Sequence, residues 1–101
     1  MVYRKEVNAQ SVELEVSGDL NQDMVNEFRA AIYGELDGPK RQINLDLREV
    51  RTINSAAIGA ILLFQKKADE KGKKLMISKI SNEVRTTFVA IHLDRLLTIA
   101  G

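Results

Sequence analysis

The chain has 101 residues, of which 45% are hydrophobic, and its 15 basic and 14 acidic side chains give a net charge of +1. This length and composition predict a single globular domain covering residues 1–101. The near-neutral charge gives no electrostatic reason to expect nucleic acid or a membrane surface as a partner. Cysteine is absent, which excludes disulfides, thiol catalysis and thiolate metal sites.

No segment has the character of a membrane span or a signal peptide. The longest apolar run, residues 56–64, is interrupted by Gly59 and is far shorter than the roughly 20 residues that a spanning helix needs. The N-terminal residues also lack the apolar stretch of a secretory signal. We therefore expect a cytoplasmic protein without direct membrane insertion.

The first third of the chain predicts two strands followed by a helix. Tyr3, Lys5 and Val7 are compatible with a first strand. Apolar and polar residues alternate over residues 11–17, which is the period of a strand. Asn21 is the expected N-cap of a helix that ends near Leu36, before Pro39. The expected apolar face of this helix consists of Met24, Phe28, Ala31 and Ile32.

The middle of the chain predicts a strand followed directly by a longer helix. Residues 43–47 alternate as in a half-buried strand. Apolar residues then recur at helical spacing from Ser55 to about Lys71, where Gly72 ends the pattern. The expected inner face of this helix consists of Ala57, Ile61, Phe64 and Ala68.

The last third predicts a short strand at residues 75–77 and a third helix capped by Ser81 or Asn82. The expected inner face of this helix consists of Val84, Phe88 and Ile91. Residues 96–99 are compatible with a last strand or an apolar tail. The order of elements predicts an α/β sandwich with right-handed crossovers between parallel strands. Its central mixed sheet would have four to five strands, the first two paired at one side, with three or more helices.

Ser55 is the best single candidate for carrying function. It lies where the strand pattern gives way to a helix, beside free backbone N–H groups and the positive end of the helix dipole. Asn54 and Ser55 are also preferred N-cap residues, so a purely structural role is an open alternative and is compatible with a functional one. Asp19 and Asn21 are expected at the same end of the sheet, either as the rim of a binding site or as a turn and a cap.

The residues give an enzyme no positive support. His92 is the single histidine, and it is expected to be a structural or surface residue. The chain has no G-x-S-x-G, Walker A or G-x-G-x-x-G motif. Asp69 and Glu70 favour a solvated helix end, and the lysines of residues 66–74 favour a solvated face over a nucleic-acid site. We expect no catalytic residue, no cofactor and no metal.

Four segments, in order and with matching spacing, resemble STAS domains, in particular bacterial anti-sigma-factor antagonists. An apolar–Asp–apolar strand precedes Asn54-Ser55-Ala56-Ala57-Ile58-Gly59, which is similar to the family's D-S-x-G-[LIV]-G junction. The other segments resemble the family's G-x-[LI]-[DN], K-x-G-x-x-L and closing G-L-x-x-[LI] patterns and are residues 18–21, 71–77 and 84–97.

The resemblance implies a protein that binds a partner acting as both anti-sigma factor and serine kinase. It implies that the kinase phosphorylates Ser55 and so releases the complex, and that a serine phosphatase acts on the phosphorylated form. The residues expected to contact the partner are Asp19, Asn21, Asn54, Ser55, Ala56 and Gly59. Thr52 is a weaker alternative acceptor.

This sequence departs from the family pattern at the junction. Asn54 stands where the family has Asp, and Ala57 stands where it has the first Gly, whereas Gly59 keeps the second. Asn keeps the ability to cap but lacks the charge. Two alternatives therefore remain open beside a phosphorylation switch. One is an unphosphorylated STAS subunit of a transporter or lipid-transport complex, and the other is a small nucleotide-binding module using the helix N-terminus at Ser55.

Overall fold

The computed structural model describes residues 1–100, and Gly101, the last residue of the predicted domain, lies outside the described residues. The elements in chain order are β1 (Val2–Glu6), β2 (Ser11–Ser17), α1 (Val25–Gly34), β3 (Gln42–Glu49), α2 (Ser55–Glu70), β4 (Lys74–Ile80), α3 (Asn82–Ala90) and a 3₁₀ turn (Leu93–Arg95). The four strands form one sheet in the order β1-β2-β3-β4. The predicted α/β class with a mixed sheet and three helices is confirmed.

The sheet combines one antiparallel and two parallel pairings. β1 pairs antiparallel with β2 at one side of the sheet, while β2 with β3 and β3 with β4 are parallel. The parallel pairs are joined through α1 and α2, as the alternation of patterns predicts. The C-terminal segment is neither a full strand nor a free tail, because Ile99 makes an isolated parallel bridge to Ile77.

The helices cover one face of the sheet, and the core lies between them. Apolar strand residues and helix residues form one buried cluster, which includes Val12, Leu14, Ile43, Leu45, Ile77, Phe28, Ile32, Phe64 and Phe88. The prediction of a half-buried β3 was wrong, since residues 43–47 are buried without interruption. Asp46 is only 1% exposed, and its carboxylate accepts a hydrogen bond from Arg48 N at 3.0 Å. A central strand has neighbours on both sides, and these bury its polar positions as well.

The start of α1 differs from the prediction. Asn21 does not cap the helix, which begins at Val25 after Met24. The side chain of Asn21 instead accepts hydrogen bonds from the N–H groups of Asp23 (3.1 Å) and Met24 (3.2 Å). Asn favours such turns for the same reason that it favours caps, because its short side chain reaches nearby backbone N–H groups. Because Asn21 forms this turn, α1 begins at Val25 instead of directly after Asn21.

The structure corrects the predictions for Ile91 and Lys73 and shows where His92 lies. Ile91 is 49% exposed rather than on the inner face, because α3 ends at Ala90. Lys73, expected on a solvated face, is buried. His92 is exposed and adopts a left-handed backbone conformation with φ of 63°.

Within residues 1–100, no helix has the length and apolar character to cross a membrane.

Candidate functional site

Ser55 is the first residue of α2 and is exposed. The side chain of Asn54 accepts a hydrogen bond from Ala57 N at 2.8 Å, and the Asn54 carbonyl accepts one from Ile58 N at 3.1 Å. Asn54 is therefore the N-cap, one of the two roles that its position predicted. Because Asn54 performs the capping, the hydroxyl of Ser55 is not needed to start the helix.

The loop that carries Asn54 is attached to the connection between β2 and α1. Leu20 N donates to Thr52 O at 3.0 Å, and Asn54 N donates to Leu20 O at 2.9 Å. The same pair of segments forms an isolated parallel bridge between Leu20 and Ile53. These bonds continue the β2–β3 pairing beyond the strands and fix where α2 begins.

Asp19 reinforces this attachment from the carboxyl end of β2. Its Oδ1 accepts hydrogen bonds from Arg51 N at 3.0 Å and Thr52 N at 3.2 Å. The bond from Arg51 N, followed by that from Thr52 N, lowers the pKa of the Asp19 carboxyl, because both bonds favour the charged form. The structure thus brings Asp19 against the loop before Ser55. Asn21 lies exposed at the same end, with its side chain engaged in its own turn.

The start of α3 supports the loop from the other side. Ser81 Oγ donates to Val50 O and accepts from Val84 N at 3.2 Å, so one hydroxyl both holds the loop and caps α3. Arg51 Nη1 lies 2.8 Å from Glu83 Oε2. The sequence indicated the cap at Ser81 but gave no signal for its bond to Val50, which lies on a different element.

The surface around Ser55 is exposed to solvent. Ser55, Ala56 and Gly59 are all exposed along one side of α2. A Cβ atom added at Gly59 would meet nothing within 4 Å. Two cavities described for residues 1–100 lie elsewhere, one at the opposite end of the sheet and one at the β4 edge. Neither is lined by Ser55, Ala56 or Gly59. A surface of this kind suits contact with another protein better than enclosure of a small ligand.

The first turn of α2 is suited to accept negative charge. It contains no acidic residue, whereas the first turns of α1 and α3 carry Glu27 and Glu83. The N–H groups at the start of a helix lack intrahelical acceptors, and the helix dipole favours an anion there. An anionic group placed on Ser55 would therefore find donors and would meet no like charge within its own turn.

Comparison with known proteins places these features in a family and a fold. Residues 4–98 match the sequence model of the family described as "Mlab, STAS domain". The structure is similar to the anti-sigma factor antagonist SpoIIAA in its unphosphorylated form, with a TM-score of 0.82 and 19% identity over 100% of this chain and 89% of that one. The Bacillus cell fate determinant SpoIIAA in its phosphorylated form gives a TM-score of 0.76 and 18% identity over 100% and 92% of the two chains.

A third similar structure is an anti-sigma factor antagonist from Mycobacterium paratuberculosis. Its TM-score is 0.86, with 13% identity over 98% of this chain and 83% of that one. At such identities the three likenesses establish the shared fold.

Proposed function

The chain belongs to the STAS-domain family, and we propose that it is an anti-sigma-factor antagonist that is switched by phosphorylation of Ser55. In the unmodified state it binds an anti-sigma factor that is also a serine kinase. The kinase transfers the γ-phosphoryl group of ATP to Ser55 Oγ, with loss of the hydroxyl proton and release of ADP. The modified protein then leaves the complex, and a serine phosphatase restores the hydroxyl.

The observation that carries this proposal is an exposed Ser55 on a helix start that is already capped by Asn54. Because the cap is supplied by the neighbouring residue, modification of Ser55 removes no bond that holds α2. A phosphate adds about −1.5 to −2 charges and strong acceptor oxygens, and the dipole at a helix N-terminus tolerates them. The fold should therefore survive phosphorylation, while the contact surface changes.

The effect on a partner follows from desolvation. A phosphate on Ser55 would lie beside Ala56 and Gly59, which are small and exposed and offer no side-chain charge to neutralise it. Burying an unpaired charge in an interface is costly. A loss of about 1.4 kcal/mol already weakens binding tenfold.

A second candidate is a STAS subunit of a transporter or lipid-transport complex that binds its partner without being phosphorylated. It is favoured by Asn54, which stands where anti-sigma-factor antagonists have Asp. The open surface along α2 serves this role equally well. A nucleotide-binding module is less well supported, because neither described cavity reaches Ser55.

These functions are separated by incubating the protein with ATP and a candidate serine kinase, chosen from the genes that neighbour its own. Intact-mass and peptide mass spectrometry should find one phosphoryl group on Ser55, absent in Ser55→Ala and retained in the matched Thr52→Ala. Stable kinase binding without phosphate would instead favour a constitutive interface. Neither binding nor phosphate would favour the transport subunit, which a permease or ATPase partner would then identify.

A further inference from the structure

Basic side chains gather at the end of the sheet opposite Ser55. The loops that precede β3 and β4 line a shallow, open cavity of about 450 Å³ there. Its charged lining consists of Arg41, Lys71, Lys73 and Asp37. Three cations against one carboxylate leave a surplus of two positive charges. This site is separate from the surface around Ser55, and its argument does not depend on the proposed function.

Lys73 is the central feature of this cavity. It is only 7% exposed, and its Nζ donates to Gly38 O at 2.7 Å and Lys40 O at 2.6 Å. An ammonium group has three donors, so two are used by these carbonyls. Among residues 1–100, no carboxylate forms an ion pair with Lys73. Burial of a charge without a counter-ion is unfavourable.

Lys40 provides an internal comparison. It is 5% exposed, and its Nζ donates to Asn8 O at 2.7 Å, so its burial and backbone bonding match those of Lys73. Its ammonium also lies 3.6 Å from the carboxylate of Glu6. One of the two buried lysines at this end therefore has a counter-ion within the chain, and the other, which lines the cavity, has none.

The other two cations, Arg41 and Lys71, line the same cavity. Within residues 1–100, the guanidinium of Arg41 makes no side-chain hydrogen bond or ion pair, and Arg41 is exposed. Lys71 Nζ lies 3.2 Å from Asp37 Oδ1, which holds its ammonium at the cavity. A guanidinium binds phosphate oxygens in pairs, whereas an ammonium acts as a point charge. Together they match a tetrahedral anion with several acceptor oxygens.

We propose that this cavity binds a phosphate dianion, either inorganic phosphate or the phosphate group of a small monoester. Lys73 donates its remaining N–H to the phosphate, which supplies the negative counter-charge that the buried ammonium lacks. Arg41 supplies a fork of two N–H donors, and Lys71 adds a further positive charge. A charge of −2 balances the surplus of the lining. The volume lies within the range of roughly 300–1,000 Å³ that small-ligand sites occupy.

The test is a titration of the ¹⁵N-labelled full chain with sodium phosphate, in which the amide chemical shifts are measured. A titration with sodium chloride at matched ionic strength is the control. The expected result is a saturable shift of Gly38, Arg41 and Lys73, with Ser55 and Ala56 unmoved. Arg41→Gln should weaken binding at least fivefold. Lys66→Gln, which removes the same charge from an exposed position on α2 outside the cavity, should leave the affinity unchanged.

A sugar monophosphate titrated in parallel distinguishes inorganic phosphate from a phosphate monoester as the ligand. Tighter binding of the monoester would assign the site to monoesters, and tighter binding of inorganic phosphate would assign it to the free ion. Arg41 is the primary variant because it is exposed, whereas Lys73→Met risks unfolding the loop that its ammonium holds. The proposal is overturned by shifts that grow linearly without saturation, by equal weakening in Arg41→Gln and Lys66→Gln, or by shifts centred on the start of α2.

Discussion

The first two helices begin at the same end of the sheet, and their starts are built differently. α1 begins behind Met24, which makes no side-chain capping bond, and the turn before it is closed by Asn21. α2 begins directly at Ser55, where Asn54 caps the helix and the loop is bonded to its neighbours on both sides. The second kind of start holds the hydroxyl of Ser55 in a defined place.

At the start of α2, different residues serve stability and function. The cap at Asn54 should matter to the fold, whereas Ser55 beside it is free to be modified. The turn at Asn21 should matter less, because the Asn21 carbonyl also bonds the N–H groups of Met24 and Val25 independently of its side chain. The following changes test that ranking.

Asn54→Ala should have the largest effect. It removes the acceptor for Ala57 N, and loss of an N-cap side chain costs about 1 kcal/mol. For a domain of this size the melting midpoint should fall by about 4–8 °C. Asn54→Asp is the matched control, since its carboxylate keeps the bond and favours the helix dipole. Thermal and urea unfolding measure both, and an alanine variant as stable as the original chain would refute the cap.

Gly59→Ala should raise the free energy of unfolding by about 0.5–1 kcal/mol. Glycine inside a helix is unfavourable by this amount relative to alanine, and the added methyl group meets no atom within 4 Å. Gly34→Ala, at the last residue of α1, is equally unobstructed but should gain less because it lies at a helix end. Urea unfolding compares the two. A loss of stability in Gly59→Ala would mean that the glycine is required by the fold itself.

Asn21→Ala should cost about 0.5 kcal/mol, at the low end of what such side-chain bonds contribute. The variant loses the acceptor for Asp23 N and Met24 N but keeps the Asn21 carbonyl bonds to Met24 N and Val25 N. Measured beside Asn54→Ala under the same conditions, it should be the milder change. The reverse order would break the comparison between the two helix starts.

Asp19→Asn should have the smallest effect, and one that depends on pH. The folded pKa of Asp19 is lowered by the bonds from Arg51 N and Thr52 N, so its contribution is complete above the ordinary carboxyl pKa of about 4 and is lost as the pH falls through the folded value. The stability difference between the original chain and Asp19→Asn should therefore shrink on acidification from pH 7 to pH 3. Urea midpoints across that range measure it, and a constant difference would contradict the assignment.

Elements with strong local signals were predictable from the sequence. The alternation over residues 11–17 and the apolar spacing that begins at Ser55 depend on neighbours along the chain, and both elements formed where expected. The start of α1 was not predictable, because Asn21 suits a turn as well as a cap. The burial of Asp46 and Lys73 depends on strands and loops distant in sequence, which no local pattern reports.

The same distinction applies to the candidate site. The capping role of Asn54 and the exposure of Ser55 follow from a strand pattern that meets a helix pattern. The bonds from Asp19 and Ser81 to the loop could not be derived in this way, because they join residues more than 30 positions apart. The role of Ser55 as phosphoacceptor, and of Asp19, Asn21, Asn54, Ala56 and Gly59 as partner contacts, stays a prediction.

The most direct test of the central claim is the dissociation constant of the partner kinase for the unmodified and the Ser55-phosphorylated protein, with the melting midpoint of each form measured in parallel. The account predicts at least tenfold weaker binding of the phosphorylated form and a nearly unchanged melting midpoint, because the charge acts at the interface and the helix start tolerates it. Equal affinities of the two forms, or release that accompanies unfolding of the phosphorylated protein, would contradict it.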